Sequence, residues 1–114
     1  MNPLREINLE QGMPYASDAV RRLTFEVHHS KDLGCAALKI IHGYGSTGKG
    51  GKIRLAARER LAFLQKKREI QYFIPGEKFS IFDADTLSAF RVCPELRKDR
   101  DLERANNGVT FIIL

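Results

Sequence analysis

The segment from Cys35 to Arg54 does most to restrict the fold. Cys35-Ala36-Ala37-Leu38-Lys39-Ile40-Ile41-His42 is a mostly apolar run of strand length, the pattern of a β-strand covered on both faces. It stops at a loop with five glycines between Gly43 and Gly51. Helical period then resumes from Lys52 to Lys67, with Ile53, Ala56, Ala57, Leu61 and Leu64 on one stripe and Arg54, Arg58 and Gln65 along its flank. A buried strand that runs through a glycine loop into an amphipathic helix is a unit of an α/β domain.

The flanking sequence completes such a domain. The alternation Ile7-Asn8-Leu9 predicts a first strand ending at Gly12, and Pro14 favours a helix start. Ala16, Ala19, Val20, Leu23 and Val27 recur at helical spacing, with Asp18 near the N-terminus to complement the dipole and Gly34 as a natural C-terminal cap. Ile70 to Ile74 reads as a third strand closed by Pro75-Gly76, and Gly108 to Leu114 as a β-branched strand. Between them, residues 77–106 read as an insertion: a surface excursion with a short helix from Asp85 to Val92, held down by Phe79, Ile81, Phe82, Leu87 and Phe90. The predicted fold is a single-domain α/β two-layer sandwich spanning residues 1–114, in the order β-α-β-α-β-β, with a four-stranded mixed sheet and two main helices on one face.

A chain of 114 residues is the size of one domain and short for most nucleotide-hydrolysing enzymes. No stretch approaches the roughly 20 apolar residues of a membrane span. Met1-Asn2-Pro3-Leu4-Arg5-Glu6 lacks the apolar region of a secretion signal, so the expected compartment is the cytoplasm. Cys35 and Cys93 have no C-x-x-C spacing and read as buried thiols. His28 and His29 are adjacent and not four apart, poor geometry for a metal pair, while Asp83 and Asp85, which with Glu77 could suggest a hard-cation site, are better read as a helix cap by one of the two; no cofactor is expected, and the sequence does not decide the role of a divalent metal. The net charge of +5 is unevenly placed: residues 39–68 hold nine basic side chains against Glu59 alone, which leaves the remainder acidic. Such a block suggests a polyanion footprint, the plainer possibility being a solvated helix face.

The loop admits several interpretations. Glycines that turn backbone N–H groups into one concavity beside a helix N-terminus attract phosphate. Gly43-x-x-x-x-Gly48-Lys49 begins like a P-loop, but Gly50 stands where a magnesium-binding Ser or Thr belongs. Gly43-x-Gly45-x-x-Gly48 matches a dinucleotide fingerprint, yet the acidic residue expected about 20 positions later is missing, Arg60 to Leu64 being found there. The glycines could also serve only a tight turn.

His42-Gly43-Tyr44-Gly45 followed by Gly51-Lys52-Ile53-Arg54 resembles the H-G-x-G-x-G-x-L-R signature of the small MutS-related (Smr) domain, with about four additional loop residues. Ile7-Asn8-Leu9-Glu10-Gln11-Gly12 occupies the place of the family's L-D-L-H-G, Asp18 to Leu23 resembles its E-A-x-x-x-L, and Gly108-Val109-Thr110-Phe111 resembles its terminal G-V-T-V strand. The resemblance covers nearly all of the chain outside residues 77–106. It implies a fold similar to the C-terminal domain of a translation initiation factor, and binding of DNA or RNA, with nicking in some members. The first motif departs from the family: in place of its Asp and His stand Asn8 or Leu9 and Glu10 or Gln11, which favours binding over cleavage.

The candidate phosphate-binding residues are therefore Gly43, Tyr44, Gly45, Gly48, Lys49, Gly51, Lys52, Arg54 and Arg58, with Tyr44 able to stack on a base. His42 and Glu10 are the candidates for any acid–base step, and the other role for His42 is a hydrogen bond that fixes the loop. The expected partner is DNA or RNA and not a membrane. The alternative is a non-enzymatic module whose charged run Arg97 to Arg104 docks a protein while the glycine loop is structural, and a less favoured one is a small-anion binder using the loop alone.

Overall fold

The computed structural model describes residues 2–12, 14–43 and 50–114. Along the chain come β1 (Leu4–Asn8), α1 (Ala16–Asp32), β2 (Ala37–Ile41), α2 (Gly50–Lys66), β3 (Tyr72–Pro75), α3 (Ala84–Val92) and β4 (Val109–Ile113), with short 3-10 turns at Gly76–Lys78 and Pro94–Lys98. The sheet order is β1-β2-β4-β3. β1 and β2 are parallel, with Ile7 beside Ile40, as a crossover through α1 requires. β4 runs antiparallel to both its neighbours, placing Ile41 beside Val109 and Pro75 beside Thr110. The mixed four-stranded α/β sandwich with α1 and α2 on one face is thus as the sequence pattern predicts.

Strand alternation sorts side chains into two cores. On one face Ile7, Leu9, Leu38, Ile40 and Ile112 meet the stripes of α1 (Ala19, Leu23, Val27) and α2 (Ile53, Ala57, Leu61, Leu64). On the other, Ala37, Ile74, Val109, Phe111 and Ile113 meet Phe79, Ala89, Phe90, Cys93 and Leu96. Residues 77–106 therefore do more than make a surface excursion, since they cover the second face of the sheet. Phe79 stacks on Phe111 at 3.9 Å between ring centroids and meets Phe90 edge-on at 6.2 Å. Ile81, Phe82 and Leu87, expected to help pack this segment, stay exposed. Both cysteines are free and buried, and burial pushes the Cys93 thiol up to about 11.

The insertion is also tied down by charge. Lys39 lies on β2 among the second-face residues, wholly buried, with Nζ 2.6 Å from Asp101 and 3.0 Å from Asp99, and with Glu6 at 3.6 Å. Its ammonium also sits 5.4 Å from the centroid of the Phe111 ring. A buried ammonium is tolerated only when paired. Asp99 and Asp101, within the run Arg97 to Arg104, thus turn inward onto the sheet, while Glu103 stays exposed and accepts from Ser80 Oγ and Ile81 N–H.

Helix ends follow local rules. At the end of α1, Gly34 at φ +80° lets its N–H bond to Lys31 O while Cys35 N–H reaches Ser30 O, a Schellman termination. α2 ends the same way, with Arg68 N–H on Gln65 O and Glu69 N–H on Leu64 O, but the left-handed position is filled by Arg68 at φ +63°. Asp83 caps α3, its carboxylate accepting from Thr86 N–H at 3.0 Å.

Candidate nucleic-acid interface

The strand ends converge where the sequence places the signature. The C-terminal ends of β1, β2 and β3 and the start of β4 share one edge of the sheet, and α2 begins there. Leu9 N–H continues the β1–β2 pairing by donating to Ile41 O, so the turn after β1 is held beside the strand that carries His42. The backbone N–H groups of His42 and Gly43 both donate to Gly108 O, which anchors the end of β2 to the start of β4.

His42 is fully buried and both ring nitrogens are engaged. Nδ1 lies 2.8 Å from Gly43 O, which can only accept, so Nδ1 carries the proton. Nε2 therefore accepts from the Thr110 hydroxyl at 2.8 Å. Thr110 Oγ1 accepts in turn from Arg58 Nε at 3.2 Å. Burial, above all, and the nearby charges of Arg58 and Arg54 outweigh the Gly43 bond and lower the His42 pKa to about 4. The imidazole is neutral at pH 7 and sits where a hydrogen bond can fix the loop.

Arg58 is part of the same network. Its guanidinium grips Glu77 through two bonds of 2.8 and 2.7 Å, and its remaining contacts run to backbone oxygens of Asn107 and Val109. Burial pushes the Glu77 carboxyl up, but the hydrogen bonds and charge of Arg58 outweigh it and hold the group below its ordinary value. Arg58 thus ties α2 to the turn after β3 and to β4. With Lys39 paired on the far face, two of the nine cations of the basic window are taken up inside the fold.

Others remain outward. Lys52, in the first turns of α2, is exposed, and Gly51 precedes it. No acidic residue occupies the first turn of this helix. Arg54 is partly buried beside His42 and Glu77, and its Nε is shielded from solvent without a hydrogen-bond partner among the described residues. Neither Lys52 nor Arg54 forms an ion pair with a described residue.

Glu10 stands in the turn after β1, and its carboxylate packs on the Cα of Gly43, whose φ is +74°. A Cβ at Gly43 would lie 2.6 Å from Glu10 Cδ and displace that side chain, while the positive φ is what favours glycine there. Asn8 Oδ1 is used locally, accepting from Glu10 N–H at 2.8 Å, and Leu9 is buried in the core. Glu10, His42, Gly43, Gly51, Lys52, Arg54 and Arg58 are therefore gathered at one end of the sheet, while Tyr44, Gly45, Gly48 and Lys49 lie outside the described residues.

Sequence places Thr110 only within the strand Gly108-Val109-Thr110-Phe111 and assigns Glu77 no role at this site. A threonine in an otherwise apolar strand beside the glycine-loop histidine is the signal that could have found the first; Glu77 lies 19 residues from Arg58 with no local pattern joining them. Elsewhere Asp83 and Glu77 are occupied as cap and ion-pair partner, and no group of three metal-ligating side chains exists among the described residues. No helix among the described residues is long and apolar enough to cross a membrane. Comparison with known protein families, with curated proteins and with solved structures yields no match to this chain.

Proposed function

We propose that this is a nucleic-acid-binding module of the Smr type, which holds phosphates where β2 ends and α2 begins. The observation that carries this reading is the cationic start of α2: Lys52 and Arg54 form no ion pair with a described residue, the nearby Glu77 being clasped by Arg58, and both lie toward the positive end of the helix dipole. The Smr-like order of His42-Gly43, Gly51-Lys52-Ile53-Arg54 and Gly108-Val109-Thr110 along one sheet edge supports it further. His42, Thr110 and Arg58 form the internal brace of the site, and Lys52 and Arg54 are its contact residues. Glu10, beside Gly43 and exposed to solvent in part, is the better placed of the two acid–base candidates for nicking.

The test is fluorescence anisotropy with labelled duplex, single-stranded and structured DNA and RNA over a range of salt. Binding falls steeply with salt, and Lys52→Ala or Arg54→Ala each lowers the slope by about 0.7 to 0.9 through loss of one phosphate contact. Undetectable binding at low salt, or binding that salt does not weaken, overturns the proposal. Conversion of supercoiled plasmid to nicked circles, present in wild type and lost in Glu10→Ala with binding retained, would add cleavage to binding.

A further inference from the structure

The helical layer carries a second feature in line with that site. α1 and α2 each return from the same end of the sheet, and their ends meet again where Lys31 donates to Glu69 O and His28 pairs with the Glu69 carboxylate, so the two helices run side by side. Between them lies an open groove of about 430 Å³ lined by Val20, Ala56, Glu59, Arg60 and Phe63. Lys52, Ala56, Arg60, Phe63 and Lys67 follow one another at three- and four-residue steps, so a single line along α2 leads from the phosphate site to Phe63, about 16 Å away along the helix axis. Phe63 is 45% exposed. The Arg60 guanidinium lies 5.3 Å and the Lys67 ammonium 5.0 Å from its ring centroid.

We infer that this groove is a track for single-stranded nucleic acid, with Phe63 the platform for one base and Arg60 and Lys67 the partners of the phosphates on either side. The inference rests on the proposed function and adds to it the class of strand. What sets Phe63 apart from the other exposed rings is its place in the groove with two cations at the ring, the pairing of an apolar face with positive charge that a base and its flanking phosphates match. The incoming base takes the place of one cation at the ring, and that cation turns to phosphate. Arg60 and Lys67 at the ring, with Lys52 on the same line and Glu59 opposing them, give this face the charge that suits a polyanion, and continuity with Lys52 supplies the direction of the strand. A duplex cannot offer an unstacked base to a ring set between two helices, so Phe63 contributes to single strands alone. Glu59, which lines the groove, opposes the phosphates.

The chain has three tyrosines but no tryptophan, so the Phe63→Trp variant carries a unique indole that can be excited selectively. Its indole emission is quenched by oligo-dT or oligo-U of about 10 nucleotides, at the concentrations where anisotropy reports binding, and a duplex of equal length leaves it unchanged. Phe63→Ala weakens single-strand binding about ten-fold and spares duplex binding, while Glu59→Gln tightens the single-stranded complex several-fold, of the order of one removed repulsion. Unchanged emission while anisotropy shows binding dependent on Lys52 and Arg54 overturns the track and leaves the phosphate site standing. Equal loss of duplex and single-strand binding in Phe63→Ala also overturns it. Absence of binding to every oligonucleotide overturns both.

Discussion

Thr110 Oγ1 lies 2.8 Å from His42 Nε2, and the proton between them belongs to the threonine. The assignment follows from the partners, since Gly43 O takes the Nδ1 proton and Arg58 Nε–H occupies an acceptor position on the same hydroxyl. One side chain of β4 thereby couples the end of β2 to α2. The direction of every bond is fixed from guanidinium to hydroxyl to imidazole to carbonyl.

Removing the hydroxyl exposes what this arrangement contributes. Thr110→Val leaves a buried imidazole nitrogen and a guanidinium N–H without partners, and is expected to lower stability by about 2 to 3 kcal/mol. Thr110→Ser keeps the hydroxyl and costs about 1 kcal/mol or less. Urea denaturation checks both, as a shift in midpoint at constant slope for the valine variant and a much smaller one for serine.

The depressed His42 pKa makes stability depend on pH. The folded protein holds the imidazole neutral down to about 4, whereas the unfolded chain takes up a proton near 6.5. Between these values the unfolded state binds more protons, so the stabilising contribution is complete above about pH 6.5 and is lost as pH falls to 4. The loss amounts to about 3 kcal/mol over that window. Glu77 and Asp101, both held below their ordinary values, act with the same sign at lower pH. Denaturation midpoints measured between pH 7 and pH 4 should decline, and His42→Asn should flatten the upper part of that decline.

Lys39 makes a separate prediction on the opposite face. Lys39→Met leaves Asp99 and Asp101 with buried, uncompensated charge and is expected to cost about 3 to 5 kcal/mol. Adding Asp101→Asn to Lys39→Met should recover part of the loss. Thermal unfolding of the two single variants and the double variant gives the coupling between the sites, and strictly additive losses would count against the pairing.

The element order could be read from the chain because each element carries its own period: Ile7-Asn8-Leu9, the stripe through Ala19, Leu23 and Val27, and the run from Cys35 to His42 each mark an element, although β1 stops at Asn8 and residues 9–12 turn where the pattern predicts strand as far as Gly12. The second layer was harder to recognise. Phe79, Phe90, Cys93 and Leu96 are spread over turns and one short helix, so no period announces a common face, although the two-sided apolarity of Cys35 to His42 implied that some segment must cover it. Lys39 in the middle of that run was the strongest unused clue, because an ammonium there needs buried acids and Asp99 and Asp101 supply them. The positive window located the candidate site, yet charge counting could not distinguish Lys52 on the surface from Arg58 clasped to Glu77, since that distinction depends on a contact across the fold. Arg68 at a left-handed helix end is similarly hidden, because sequence marks that position only when it is glycine.

The placement of β4 governs the order in which the domain can mature during synthesis. It is the last element described, yet it lies inside the sheet and is the strand through which β3 joins β2. A ribosome that has delivered β1, α1, β2 and α2 has supplied a parallel pair and two helices able to begin packing; β3 and the 77–106 cover have no sheet to join until Val109–Ile113 emerges. That same strand brings Thr110 to His42, so the brace beneath the proposed phosphate site and the closure of the sheet are completed in one step.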